Sequence, residues 1–254
     1  MTQPPPNVPQ APGAPAAADV PLPADVQTVF LDAGNTLISM DYPRIAAALQ
    51  QLGVHCDATA VHRAEAASRP AVSRALERLG STEHEDTFRF YVDTALGFLG
   101  VEDESVKAAV FDAIRPRAST LELWCRVLPG VPQALQKLRA QGLQLAVVSN
   151  SDGSIEQGLE QLGLRELVDV VFDSRVVGAE KPDPAIFETA LAATGADPAR
   201  TIHVGDIYAV DVVGARLAAL CPVLLDPFGD WQGVDCATFS DVAALQRALA
   251  PEQP

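Results

Sequence analysis

The sequence predicts an α/β protein: a doubly wound, Rossmann-like parallel sheet with an all-helical cap domain inserted after its first strand. Three observations lead there. Short apolar runs recur along the 254-residue chain, and most stop at a polar residue. Segments with helical periodicity separate them. Residues 41 to 124 break this alternation, because they carry helical spacing and no strand-like run.

Taken in order, residues 1 to 24 hold eight prolines among alanine and glycine. They lack the large apolar side chains that offset ordering entropy, so a disordered tail is expected. The core is expected over 25–40 and 125–250. Val29-Phe30-Leu31 ends at Asp32, Leu143 to Val148 at Ser149, and Val170-Val171-Phe172 at Asp173. Thr201 to Val204 leads into Gly205-Asp206, and Val223-Leu224-Leu225 ends at Asp226. Runs without alternation suit parallel strands covered on both faces. Val131, Leu135 and Leu138 form a helical stripe closed by Gly142. Ser154 and Gln157 have capping-box spacing, and Asp183-Pro184 and Asp197-Pro198 each read as an N-cap followed by proline at the first helical position.

The cap is expected over 41–124, as four or five helices. One runs from Arg44 to Leu52 and stops at Gly53; another carries Phe88, Tyr91, Val92, Ala95 and Leu99 before Gly100. Pro70 should interrupt or kink the stretch from Ala58 to Leu79. The sheet should resume near Leu128, with Phe228 and Trp231 closing the core after the last strand. His203 reads as a hydrogen-bonded core histidine.

Composition narrows function. Hydrophobic residues make up 48% of the chain, enough to bury a real core. The formal net charge of −15 disfavours nucleic acid and anionic membranes as partners. No apolar run has the length of a membrane span. Cys56, Cys125, Cys221 and Cys236 form no CxxC, which points to free thiols in a reducing cytoplasm. The first basic residue is Arg44, so no signal peptide is read at the N-terminus. The oligomeric state is left open.

Ligands of open parallel sheets bind beyond the carboxyl ends of the strands. Asp32, Ser149 and Asp206 stand there, and Lys181 follows the third strand. Carboxylates, a hydroxyl and an ammonium group suit the handling of phosphate with a divalent cation.

At these positions the chain resembles the haloacid dehalogenase superfamily. Phe30-Leu31-Asp32-Ala33-Gly34-Asn35-Thr36-Leu37 is similar to its first motif and Val147-Val148-Ser149-Asn150 to its second. Glu180-Lys181-Pro182-Asp183-Pro184-Ala185-Ile186-Phe187 is similar to the third, and Val204-Gly205-Asp206-Ile207-Tyr208-Ala209-Val210-Asp211 to the fourth. The order is the family's, and so is the helical insert between the first two motifs.

The resemblance implies a magnesium-dependent phosphatase acting on a small phosphorylated metabolite. Asp32 would be the nucleophile, Thr36 and Ser149 would hydrogen-bond the reacting groups, and Lys181 would neutralise charge. Asp32, the Gly34 carbonyl, Asp206 and Asp211 would form the metal site. Asn35, Asn150, Arg44 and Arg63 would contact substrate, and the cap would exclude water. Gly34 departs from the family's phosphatases, which carry at this position a second aspartate that protonates the leaving group. Loss of such an acid costs ~10²–10⁴-fold in rate. Two alternatives follow. One is a metal-independent 2-haloacid dehalogenase, with Arg44, Arg63 or Arg69 binding halide. The other is a binding or regulatory protein on the same scaffold, docking through its proline-rich tail.

Overall fold

The computed structural model describes residues 20–250. Most of the expected tail lies outside them, and within 20–24 Leu22 packs against the core. The first strand, β1 (Thr28–Leu31), is followed by the short β2 (Ile38–Met40). Four helices come next: α1 (Tyr42–Gln51), α2 (Ala58–Leu79), α3 (Glu85–Phe98) and α4 (Glu104–Ile114). The chain returns through β3 (Trp124–Val127), α5 (Val131–Ala140), β4 (Gln144–Ser149) and α6 (Ile155–Gln161). Then follow β5 (Val170–Asp173), α7 (Ser174–Val177), α8 (Pro184–Thr194) and β6 (Thr201–Gly205). A π-helical turn (Tyr208–Val212) leads into α9 (Val213–Leu217), β7 (Cys221–Leu225), β8 (Ala237–Phe239) and α10 (Val242–Ala248).

The main sheet is parallel throughout, in the order β5-β4-β1-β6-β7-β8. Its unalternating sequence is explained by burial on both faces. Val29 and Leu31 pack with Leu135, Leu138, Leu159 and Leu245, while Phe30 points the other way into Ile186, Phe187 and Ala215. The helical insert has a separate apolar core of Ile45, Leu49, Val92, Leu96, Val110, Phe111 and Ile114. Among the described residues, no helix is long and apolar enough to cross a membrane.

Several local expectations are corrected. Helix α2 runs unbroken through Pro70. The proline removes one helical hydrogen bond, and burial of Val61, Ala64, Ala66, Val72 and Leu76 along the same helix offsets that loss. The chain leaving the insert does not re-enter the main sheet near Leu128. It forms an antiparallel ribbon, with Ile38 opposite Val127 and Met40 opposite Trp124, and the sheet resumes at Gln144. Ser154 makes no capping bond; its hydroxyl turns to Ser119 at 2.8 Å, and Asp173 accepts from the Ile155 amide at 3.3 Å instead. Asp197-Pro198 starts only a three-residue turn. Phe228 does not close the core: it is 43% exposed and lies against His62 and Arg63 of α2. Trp231 packs beside Val212, Leu224 and Cys236.

Candidate active site

Strand register assembles the site. Leu31 pairs with Val147 on one side and Val204 on the other, so β4, β1 and β6 end together. The Asp32 amide extends the ladder by donating to the Val204 carbonyl at 2.8 Å. With neighbouring strands about 4.8 Å apart, Asp32, Ser149 and Asp206 share one sheet edge. They line a cavity of about 610 Å³ together with Gly34, Lys181 and residues of the insert.

Lys181 is the hub on the core side. Its buried ammonium donates to Asp32 Oδ1 at 2.7 Å and to Asp211 Oδ1 at 2.8 Å. Burial alone would favour loss of its proton, but Asp211 and Asp32 outweigh this and raise its pKa. Asp211 was expected among the metal ligands, and the structure gives it other work. Oδ1 accepts from Lys181 and lies 3.1 Å from His203 Nε2, while Oδ2 accepts from the amides of Asp206 and Ile207. Burial pushes its pKa up, yet Lys181 and His203 together hold it well below the usual carboxylate range. The turn that carries Asp211 folds back so closely that a Cβ on Gly205 would stand 2.1 Å from Asp211 Cγ. Glycine before Asp206 is therefore a steric requirement.

A second buried cation enters from the insert. Arg69 on α2 donates from Nε to Glu65 Oε1 at 2.7 Å and from Nη2 to Glu65 Oε2 at 2.8 Å. The same Nε lies 3.3 Å from Asp206 Oδ2. Glu65 also accepts from Tyr42 at 2.9 Å and from Tyr91. Burial pushes the Glu65 pKa up, but the Arg69 charge and these hydrogen bonds bring it below its ordinary value. Sequence reasoning missed Glu65 and Tyr91 as site components and put Arg69 forward only as one of three arginines. The i,i+4 spacing of Glu65 and Arg69 was the available signal, although such pairs usually lie on a solvated face.

The remaining expectations divide. Ser149 is buried at the end of β4 and lines the cavity, and its hydroxyl makes no hydrogen bond to the described residues. Asn35, held at a φ of 54°, donates from Nδ2 to Asp206 Oδ2 and to Tyr91 Oη, both at 3.1 Å. Its amide holds the site together. Asn150 accepts from the Lys181 amide at 2.7 Å and donates to the Lys181 carbonyl at 2.9 Å, clamping that loop. Thr36 is buried outside the cavity lining, and its hydroxyl has no partner among the described residues. Arg44 and Arg63 are corrected: neither lines the cavity. Arg44 is held by the carbonyls of Glu122 and Ala113, and Arg63 by Asp230 at 2.7 Å. Both therefore tie chain segments together.

Among the described residues, these bonds leave three oxygens around Asp32 without a hydrogen-bond partner: Asp32 Oδ2, Asp206 Oδ1 and the Gly34 carbonyl. Four buried carboxylates (Asp32, Asp206, Asp211 and Glu65) meet two buried cations, which leaves negative charge in excess. Burial raises Asp32 to about 6, with Lys181 offsetting part of the effect. Burial raises Asp206 to about 8, with Arg69 offsetting and Asp211 and Asp32 adding to it. Hard oxygen donors with surplus negative charge fit a magnesium ion.

Comparison with known proteins identifies the family. A family model described as haloacid dehalogenase-like hydrolase matches residues 26–219. The bovine haloacid dehalogenase-like hydrolase domain-containing protein 3 is 32% identical over 195 residues, covering 74% of this chain and 77% of that protein. A ribulose-1,5-bisphosphate 5-phosphatase of Halopiger xanaduensis is 33% identical over 122 residues, 48% of this chain and 50% of that one. Among solved structures, the putative HAD-hydrolase YfnB from Bacillus subtilis, bound to magnesium, superposes with a TM-score of 0.60 at 16% identity. It covers 89% of this chain and 99% of its own, a likeness of fold. The strand-end carboxylates, the buried lysine and the matched sequence agree, and the chain belongs to the haloacid dehalogenase-like hydrolases.

Proposed function

We propose that this hydrolase is a magnesium-dependent phosphatase that cleaves a small phosphorylated metabolite through an aspartyl-phosphate on Asp32. The observation that carries the reading is the Lys181 ammonium, 2.7 Å from Asp32 Oδ1 at the floor of the cavity. A carboxylate attacking a phosphate dianion must overcome like-charge repulsion, and a fixed cation at the attacking atom reduces it. A phosphatase among the relatives supports the same reading.

In this mechanism an Asp32 oxygen bonds to phosphorus as the phosphorus–oxygen ester bond breaks, and the leaving oxygen departs with the electron pair and takes its proton from solvent. Lys181 stays beside the reacting carboxylate, held there by Asp211. The free Ser149 hydroxyl donates to a phosphoryl oxygen. Arg69 and Asn35 hold Asp206 in place from the insert and the first loop. Water then cleaves the aspartyl-phosphate and restores Asp32. Asp32, Asp206 and the Gly34 carbonyl would hold magnesium, which when bound supplies Lewis-acid neutralisation of phosphoryl charge.

The test is release of inorganic phosphate from a panel of phosphate monoesters, in magnesium and in EDTA, with Asp32→Asn as control. Release that requires both magnesium and Asp32 is expected. Release that persists in Asp32→Asn overturns the reading. Halide release from 2-haloacids without metal replaces it with the dehalogenase.

A further inference from the structure

The space beside the nucleophile is taken by an indole. A Cβ built on Gly34 stands 3.9 Å from Asp32 Oδ2 and 3.3 Å from Trp124 Nε1. Any side chain at position 34 would therefore require Trp124 to shift. Trp124 lines the cavity, and its N–H makes no hydrogen bond to the described residues. Trp124 is half-buried in that wall, so its N–H opens to the cavity and can donate to an oxygen bound there. The wall continues in aromatic rings: Phe88 lies 5.6 Å from Trp124 and 5.5 Å from Phe111, centroid to centroid.

The cavity's carboxyl groups have other partners. Asp211 is saturated by Lys181, His203 and two amides, and Asp206 is held by Arg69 and Asn35. Nearer the mouth, Glu83 accepts from Ser174, Asp152 from the Thr120 amide, and Glu85 pairs with Arg115. With Asp32 and Asp206 assigned to the cation site, none of the others is a free acid beside the ester oxygen. An indole N–H can stabilise an oxyanion but cannot give up its proton at neutral pH.

We infer that the site selects phosphate esters of aromatic hydroxyls, and that Trp124 is the specificity-determining residue. The inference rests on the aspartyl-phosphate reading and names the substrate class of that site. An aliphatic alkoxide has a conjugate acid close to water, whose pKa is about 15.7, and needs a proton to leave. A phenoxide has a conjugate acid near pKa 10 and leaves without one. In the reaction, the Asp32 oxygen forms its bond to phosphorus while the phosphorus–aryl oxygen bond breaks. The electron pair goes to the aryl oxygen, which accepts a hydrogen bond from Trp124 Nε1 and takes its proton from solvent. Water then hydrolyses the aspartyl-phosphate, so the products are the phenol and inorganic phosphate. Phe88, half-buried in the cavity wall and backed by Phe111, provides an aromatic surface for the aryl ring.

The experiment is a leaving-group series on the wild-type protein: substituted phenyl phosphates of graded phenol pKa against simple alkyl phosphates, in magnesium. The expected result is a steep rise in kcat/KM as the leaving-group pKa falls, with aryl over alkyl esters by about 10²–10⁴-fold, the size of a missing general acid. A flat series with comparable turnover of alkyl phosphates overturns the inference and leaves the phosphatase reading intact. Absence of any phosphate ester hydrolysis removes both. Trp124→Phe keeps a ring and removes the donor; a fall of about 10-fold with aryl esters is expected from one lost hydrogen bond. An unchanged rate removes Trp124 from the account. Gly34→Asp combined with Trp124→Phe should flatten the series, by admitting an acid where the indole stood.

Discussion

The site contains two buried cations, each placed between two carboxylates, and they are built differently. Lys181 lies between Asp32 and Asp211, both of which come from the ends of neighbouring strands or the turn just beyond them. Arg69 lies between Glu65, one turn away on its own helix, and Asp206 across the interface with the core. The lysine has both of its carboxylate partners in the core, and its loop is clamped by Asn150. Among the described residues, the insert adds to that loop only hydrogen bonds from Asn150 to Thr82 and from Ser81 to Glu180. The arginine is positioned by α2, whose packing belongs to a different apolar cluster, and it meets the core only where insert and sheet touch. The first arrangement draws all of its charged groups from the core. The second exists only while the insert is seated, so it links the geometry of Asp206 to the position of α2.

Replacement of each cation tests that difference. Lys181→Met leaves two buried carboxylates without their cation. Loss of ~3–5 kcal/mol in urea unfolding is expected, with phosphate release down by ~10²–10³-fold. Arg69→Met should cost less, about 2 kcal/mol, because Glu65 keeps its bonds from Tyr42 and Tyr91. Adding Glu65→Gln should recover part of that loss. Equal costs for the two single variants would contradict the distinction between a rigid pair and a seated one.

The excess negative charge gives a pH signature of smaller size. Asp32 and Asp206 have folded pKa values of about 6 and about 8, above their ordinary value of 3.8, because burial disfavours their charged forms. Raised acids contribute stability below the unfolded pKa and lose it as pH rises through the folded values. In EDTA, Tm should therefore decline between about pH 5 and 8.5, and magnesium at pH 8 should restore it. A Tm that is flat in EDTA across that window, or unmoved by magnesium, would count against a cation site at these oxygens.

The smallest effect is expected at Arg63. Its pair with Asp230 is solvent-facing, with the arginine side chain 46% exposed. Arg63→Ala should change stability by less than about 1 kcal/mol and leave kcat unchanged. A rise in KM would return Arg63 to the substrate.

The elements that built the core were readable because parallel strands buried on both faces leave continuous apolar runs. The polar residue ending each run sits at the sheet edge. Asp32, Ser149 and Asp206 were found in that way, and Lys181 by its place after the third run. The β2–β3 ribbon and β8 were not, since Ser39, Arg126 and Thr238 interrupt them and leave no continuous apolar run. Pro70 read as a break because local propensity was the only term visible, whereas tertiary burial on both flanks decided the outcome.

By itself the sequence determined the alternation of the core, the place of the helical insert and the set of groups gathered at the strand ends, since periodicity and chain order are local properties. Only the tertiary structure decided which arginine reaches the carboxylates, that Asp211 serves Lys181, and that an indole stands over Gly34. Those outcomes depend on the seating of one packed unit against another, and no spacing along the chain encodes the distance between side chains that meet from separate cores.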